Sequence, residues 1–274
     1  MKKIWINNTI MNLGDSGCYK FDKDHSWYTV NKEKEIPEIM VYDVIGDAWD
    51  GVTAKQFIQE LNEIDAKEIV VRINSPGGLV YEGLAIYHAL KQFKGKVTTR
   101  VDAVAASIAS VIFMAGEKRE MPESADLMIH KPWSMMIGDA DDMRSEAEEL
   151  DRIQNKLEDI YEKGTGLSRD EISTMVNSTT WKDGKESYDM GFATDLLEDA
   201  KIAACVFDLN LLPDIPDRHR KMADAARKRE QEKNLREEGL PKRDAKAKVS
   251  TVSRDDGADA AEKLFLEMLN QIGG

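Results

Sequence analysis

The chain has 274 residues, 42% of them hydrophobic, which is enough for one substantial core and an appendage. Its formal net charge is −13, and residues 216–274 hold 14 Lys and Arg against 12 Asp and Glu, so the excess negative charge lies in residues 1–215. An acidic body argues against a nucleic-acid partner, and the lack of a long apolar run argues against a membrane span.

The cysteines and the first residues of the chain limit which cofactors and which cell compartment we expect. Cys18 and Cys205 do not make a disulfide framework, and no Cys/His cluster has metal-ligand spacing. The first ten residues contain no apolar segment of the kind found in secretory signals. We therefore expect no metal, no cofactor and a reducing cytoplasm.

The first half of the chain alternates short β-branched runs with stretches of helical apolar spacing. The predicted strands are residues 3–8, 39–45, 69–74 and 96–102. The predicted helices are residues 52–64 and 79–93. Repeated strand-and-helix crossovers of this kind predict an α/β fold with parallel strand pairings.

The second half begins with a long amphipathic helix, predicted by apolar steps of three and four over residues 139–163. A Gly-Thr-Gly sequence ends it, and Ser168 and Glu171 form a capping box for another helix. The remaining predicted elements are a turn at 177–184, a helical stretch at 185–191 and a strand at 202–207.

Composition divides the chain into three parts. Residues 1–215 are predicted to form the folded domain, and residues 216–260 a charged, flexible linker or solvated helix, because large apolar side chains are few there. Residues 261–274 predict a short amphipathic helix whose apolar face has nothing in the linker to pack against.

Three features in residues 75–130 suggest acyl-transfer chemistry. Ser107 follows small residues at the junction between a strand and a helix, where the first helical N–H groups lack partners. His130 ends a short apolar strand, and the Ser-Pro-Gly-Gly turn at 75–78 lets backbone N–H groups approach a substrate. Taken singly, a serine in this context is most often a helix cap or packing residue, and a histidine after an apolar strand is usually a core or edge group. Together they supply a hydroxyl, a base and oxyanion donors.

The order of these features resembles the Clp protease proteolytic-subunit family of serine peptidases. The resemblance runs from about residue 4 to residue 207 and rests on INSPGGLVYEGLAIYHAL, VAASIASVIFMAGEKREMP, LMIHKP, YEKGTGLS and GFATDLLED. It implies a spiral of strand–strand–helix units, as in the crotonase superfamily, and a handle built on residues 139–163 through which subunits assemble into homo-oligomeric rings. A helix that packs within one subunit is the alternative for that segment.

The resemblance also implies roles for individual residues. Ser107 matches the family's nucleophile and His130 its general base. Gly78 and Ile108 match the two backbone N–H donors of the oxyanion hole.

The third catalytic position departs from the family. Where relatives have an acidic residue, this chain has Thr179, in Thr179-Thr180-Trp181. A hydroxyl can orient His130 but cannot balance the charge of an imidazolium. Asp183 and Asp195 are the alternatives, and a dyad without a third member is another.

The context of His130-Lys131-Pro132-Trp133, and about sixty residues after the last family motif, resemble the bacteriophage head-maturation (prohead) type of the family. That type implies cleavage of capsid and scaffold precursor proteins inside an assembling prohead, in the host cytoplasm, without an unfoldase. The alternatives are an ATPase-dependent Clp subunit, a catalytically weak scaffold subunit and a crotonase-type acyl-CoA enzyme.

Overall fold

A computed structural model describes residues 2–6, 9–13, 26–32, 34–46 and 53–198, together with short pieces and single positions between residues 215 and 246. The chain divides into two compact units, one of residues 3–11 and 20–215, the other of residues 1–2, 12–19 and 216–274. Most of the predicted linker, the predicted helix at 261–274 and the predicted strand at 202–207 lie outside the described residues.

Ten strands are defined within the described residues. They are β1 (Lys2–Ile6), β2 (Thr9–Leu13), β3 (Tyr28–Asn31), β4 (Glu38–Tyr42), β5 (Glu68–Ser75), β6 (Lys96–Ala106), β7 (Lys118–Pro122), β8 (Asp126–Ile129), β9 (Thr180–Asp183) and β10 (Asp195–Leu197). Strands β1 and β2 form a two-stranded sheet, and the other eight form one sheet in the order β10-β7-β6-β5-β4-β3, with β8 paired to β6 and β9 paired to β8.

Between residues 53 and 198, six helices accompany the strands. They are α1 (Ala54–Asn62), α2 (Val80–Gln92), α3 (Ile108–Phe113), α4 (Ala140–Thr165), α5 (Arg169–Asn177) and α6 (Gly184–Asp189). The capping box predicted at Ser168 is present at the start of α5. None of the helices in the described part of the chain is long and apolar enough to cross a bilayer.

The central pairings are parallel, as the crossovers predict. Strand β5 pairs parallel with both β4 and β6, and β6 pairs parallel with β7 and β8. Antiparallel pairs occur only at the two margins of the described eight-stranded sheet, between β3 and β4 and between β8 and β9. The mixed α/β class is therefore confirmed, whereas the spiral of repeated units stays a prediction.

One face of the sheet carries the core and the other carries charge. Along β5, Ile69, Val71 and Ile73 are fully buried, while Glu68, Val70 and Arg72 are only half-buried. On that second face Arg72 pairs with Asp102 at 2.9 Å, and Arg100 pairs with Glu120 at 2.6 Å.

The predicted long helix is present as α4, with a Gly166 C-cap at φ 80°. Its two halves differ in burial. Ile153 and Leu157 in the second half are buried, whereas Met143 in the first half is 53% exposed and Ile137, just before the helix, is 75% exposed. The second half thus packs within the subunit, and use of the first half as a handle remains a prediction.

A half-buried arginine links the end of α4 to β7 of the sheet. Arg119 of β7 donates to the backbone carbonyls of Phe192 at 2.6 Å, Gly164 at 3.0 Å, Gly191 at 3.0 Å and Gly116 at 3.3 Å. Burial lowers the pKa of Arg119, but a guanidinium remains charged in proteins. Four carbonyls from three segments of the chain are therefore held by one cation.

Candidate active site

Ser107 lies at the sharp junction between β6 and α3. It is the N-cap of α3 and has φ 56° and ψ −129°, a conformation that residues with a side chain rarely adopt. Its N–H donates to the carbonyl of Met128 at 2.9 Å, which fixes the junction to β8. The preceding Ala105 and Ala106 are fully buried, so only small side chains fit at this turn. Strain of this kind is typical of functional positions.

The parallel pairing of β6 with β8 brings His130 to Ser107. The register places Ala106 opposite Met128, so the residues that follow each strand meet at the same edge of the sheet. The Nε2 atom of His130 lies 2.7 Å from the Oγ of Ser107. Burial lowers the pKa of His130 to about 4, so the ring is neutral at pH 7 and able to accept a proton. For Nε2 to act as the acceptor, the ring proton must sit on Nδ1.

The glycine turn after β5 packs directly against Ser107. Gly77 has φ 99°, and a Cβ there would lie 2.6 Å from the Cβ of Ser107. Gly78 has φ 156°, and a Cβ there would lie 2.1 Å from the carbonyl oxygen of Ile45. Hydrogen bonds from Ile45 N–H to Gly77 and from Leu79 N–H to Ile45 hold the turn in place. Both glycines are required by this close backbone approach.

Two backbone N–H groups beside Ser107 are available to a ligand. Within the described residues, neither the Gly78 N–H nor the Ile108 N–H donates to a protein acceptor. Ile108 is the first residue of α3, where an N–H group has no partner inside the helix. A developing oxyanion is the chemical species that such donors stabilise.

Thr179 directly precedes β9, the strand that pairs with β8. The two strands pair antiparallel and their register ends with Ile129 opposite Thr180, so His130 and Thr179 are the residues next to this last pair. Thr179 is half-buried and has φ 51°, unusual for a β-branched residue. In the described part of the chain, no hydrogen bond joins His130 to Thr179 or to any partner other than Ser107.

The two aspartate alternatives lie elsewhere. Asp183 is opposite Asp126, four positions along the strand from Thr179, and its carboxylate accepts the Glu186 N–H at 2.8 Å to cap α6. Asp195 begins β10, where its carboxylate accepts the Thr194 hydroxyl at 2.7 Å. Neither residue serves His130 in this structure. The predicted turn at 177–184 is also corrected, since β9 occupies its second half.

Two hydroxyl groups near Ser107 have no role predicted from the sequence patterns. The Oγ of Ser110 donates to the Ser107 carbonyl at 2.5 Å, and the hydroxyl of Tyr161 in α4 lies 2.7 Å from the same Oγ. The spacing of Ser110 from Ser107 is one turn of helix, which is a usable sequence signal. Tyr161 is more than fifty residues away and carries none.

The arrangement can carry out nucleophilic acyl transfer with its own side chains. It holds a hydroxyl on a neutral imidazole and two free N–H donors. In the described part of the chain, no three His, Cys, Asp or Glu side chains are placed to hold a metal ion.

Comparison with known proteins agrees with this geometry. Residues 24–200, more than half of the chain, match the family described as Clp protease. A solved structure of a ClpP1 mutant from Listeria monocytogenes is similar, with a TM-score of 0.52 and 25% sequence identity over 59% of this chain and 91% of that one. The chain therefore belongs to the Clp protease family, whose members are serine peptidases.

Proposed function

We propose that this protein is a serine endopeptidase in which Ser107 is the nucleophile and His130 the general base. The observation that carries the proposal is the 2.7 Å contact between Ser107 Oγ and His130 Nε2, made by a ring that is neutral at pH 7. Gly78 and Ile108 supply the oxyanion donors, and Thr179, next to the last pair of β8 and β9, is our proposed residue for orienting the ring.

The reaction follows from these positions. Ser107 Oγ forms a bond to the peptide carbonyl carbon while its proton passes to His130 Nε2, and the carbonyl oxygen takes up negative charge beside the Gly78 and Ile108 N–H groups. The C–N bond then breaks, and the amine leaves with the proton from His130. Water hydrolyses the acyl-enzyme by the same steps with His130 again as base.

We assign the biological substrates to phage head assembly, namely capsid and scaffold precursor proteins cleaved inside the prohead in the host cytoplasm. The support is in the sequence: the residues around His130 resemble the prohead type, and residues 216–274 extend well past the matched family region. The acidic body of residues 1–215 is consistent with protein rather than nucleic-acid substrates.

Two other functions retain support. An ATPase-dependent Clp subunit would use the same site and depend on an unfoldase for folded substrates. A catalytically weak scaffold subunit is favoured by one observation, the absence of a carboxylate bonded to His130 within the described residues.

A single experiment separates these functions. The full chain is co-expressed with a capsid precursor, and intact masses are measured for wild type, Ser107→Ala and the control Ser173→Ala, whose serine lies on α5. We expect precise precursor cleavage without added ATPase in wild type and Ser173→Ala, and none in Ser107→Ala. Cleavage only with an unfoldase would favour the general subunit, and no cleavage of precursor or short peptide would favour the scaffold.

The proposed oligomer is a homo-oligomeric ring, as Clp protease homologues form. Exposed apolar side chains at Ile137 and Met143 are the surface in this chain that suits such an assembly. Replacing both by Asp should yield smaller species in analytical ultracentrifugation, whereas Arg144→Asp, a charge change on the same helix, should not. A wild-type protein that sediments as a monomer at micromolar concentration would contradict the ring.

A further inference from the structure

The backbone of Ser107 is held in its strained conformation by more than the usual start of a helix. Its carbonyl accepts the Ser110 N–H at 3.0 Å, as an N-cap carbonyl does, and also accepts the Ser110 hydroxyl at 2.5 Å. Both lone pairs of that carbonyl are therefore engaged. A serine hydroxyl bonded one turn back along its own helix is common, so this second bond alone would mean little.

This site differs from an ordinary helix start because the Ser110 hydroxyl is also hydrogen-bonded to a residue of another helix, α4. The Oγ of Ser110 has one proton, which it gives to the Ser107 carbonyl, so the bond at 2.7 Å must be donated by the hydroxyl of Tyr161. The chain of donors runs from Tyr161 through Ser110 to Ser107. Ser110 is 0% exposed and Tyr161 is 3% exposed, so water does not compete for these bonds.

Tyr161 is itself fixed in place. Its ring meets the ring of Phe192 edge-on with centroids 5.9 Å apart, and it lies in the half of α4 that packs within the subunit. Burial raises the pKa of Tyr161, so its hydroxyl stays protonated and remains a donor throughout the working pH range.

We propose that Ser110 and Tyr161 are positioning residues that keep the strained Ser107 junction in the geometry that points Oγ at His130. The proposal rests on the proposed peptidase function. Neither residue touches the substrate or the reacting atoms, and both act through the Ser107 carbonyl. Because misplacement of a reacting group by about 1 Å can cost about 100-fold in rate, a hydrogen bond to this backbone has a kinetic effect.

The test uses the full chain and two readouts, hydrolysis of a short peptide and the rate at which a fluorophosphonate labels Ser107. We expect Ser110→Ala to lower kcat and the labelling rate about 30-fold, and Tyr161→Phe about fivefold, with KM within twofold of wild type. The two residues act in series, so the double variant should be no slower than Ser110→Ala alone.

Matched controls separate positioning from general stability. Thr99→Val removes another buried hydroxyl that donates to a carbonyl of α3, that of Phe113 at 2.7 Å. Tyr28→Phe removes another buried tyrosine donor, which bonds Glu60 at 2.8 Å. We expect both controls to lower the melting temperature while kcat stays within twofold.

The outcomes are distinct. Variants that lose melting temperature as the controls do but keep the wild-type kcat and labelling rate would overturn the positioning role and leave the peptidase function intact. Additive losses in the double variant would also overturn it. A wild-type protein that neither hydrolyses peptides nor reacts with the fluorophosphonate would refute the proposed function itself, before any variant is compared.

Discussion

The two residues predicted to act directly on the His130 ring, Ser107 and Thr179, differ in their contacts with it. The Nε2 atom of His130 contacts Ser107, whose backbone is held by hydrogen bonds to Met128 and Ser110. Thr179, the residue predicted to orient the ring, lies in the turn before β9, and within the described residues it makes no hydrogen bond to His130. In the described part of the chain, the site therefore keeps a neutral imidazole that can accept a proton, with no carboxylate hydrogen-bonded to it to balance an imidazolium.

The largest expected effect on activity comes from replacing Ser107 or His130 itself. Ser107→Ala and His130→Ala should each lower kcat on a peptide by a factor on the order of 10⁶, because the two groups act as one proton-transfer unit. Circular dichroism and sedimentation should match wild type. Turnover near the wild-type rate in either variant would contradict the assignment of both residues.

A second prediction tests the glycine turn that faces Ser107. Gly78→Ala forces a Cβ to within 2.1 Å of the Ile45 carbonyl, so the backbone must shift and the oxyanion donor moves. We expect kcat to fall about 100-fold. The control Gly166→Ala also places Ala at a positive φ, but in open space, and should cost stability of about 1 kcal/mol with kcat unchanged. Equal kcat values in the two variants would exclude Gly78 from the oxyanion hole.

An acidic residue at position 179 should change the pH dependence of the reaction. Because Thr179 is the proposed orienting residue, Thr179→Glu should bring a carboxylate to the His130 ring, which favours the imidazolium and so raises the pKa of the ring from about 4. In wild type, kcat/KM should be lost only as the pH falls through about 4, and in the variant this loss should occur at higher pH.

The maximum rate of Thr179→Glu should rise about tenfold, since the carboxylate stabilises the charge formed during attack. The neutral control Thr179→Gln should leave both the pH profile and the maximum rate near wild type. An unchanged profile in Thr179→Glu would show that residue 179 does not face the ring.

The smallest effects are expected at the two aspartates. Asp183→Ala removes the cap of α6 and should lower stability by about 1 kcal/mol, while Asp195→Ala should change it less. In both, kcat should stay within twofold of wild type because neither carboxylate bonds His130. A drop of 100-fold in either variant would identify it as the third catalytic residue.

Much of this architecture follows from periodicity, and the exceptions have physical causes. The β-branched apolar run of β5 and the apolar steps of three and four along α4 are clear local patterns, so the type of both elements was predictable. Strand β7, with the sequence KREMP, has two cations and a proline and forms because β6 and β10 pair with it. The Ala-rich end of β6 reads as a turn and is extended by pairing with β8.

The candidate site was predictable only where its residues belong to a local motif. Ser107, His130 and the glycine turn lie in short segments with characteristic spacing, and the structure brings them together. Tyr161 reaches the site through the packing of α4 against α3, a long-range contact that no local pattern encodes.

Arg119 donates hydrogen bonds only to backbone carbonyls among the described residues, and this affects how β7 should respond to acid. Burial alone would raise the pKa of Glu120, but hydrogen bonds from Lys118 and Arg100 lower the pKa by more, so the net shift is downward. A carboxylate with a lowered pKa contributes stability at neutral pH that is lost as the pH falls through that pKa. Arg119 depends on no carboxylate, since its described partners are backbone carbonyls. In acid, the ionic link between β6 and β7 should therefore fail first, while β7 stays attached to the end of α4.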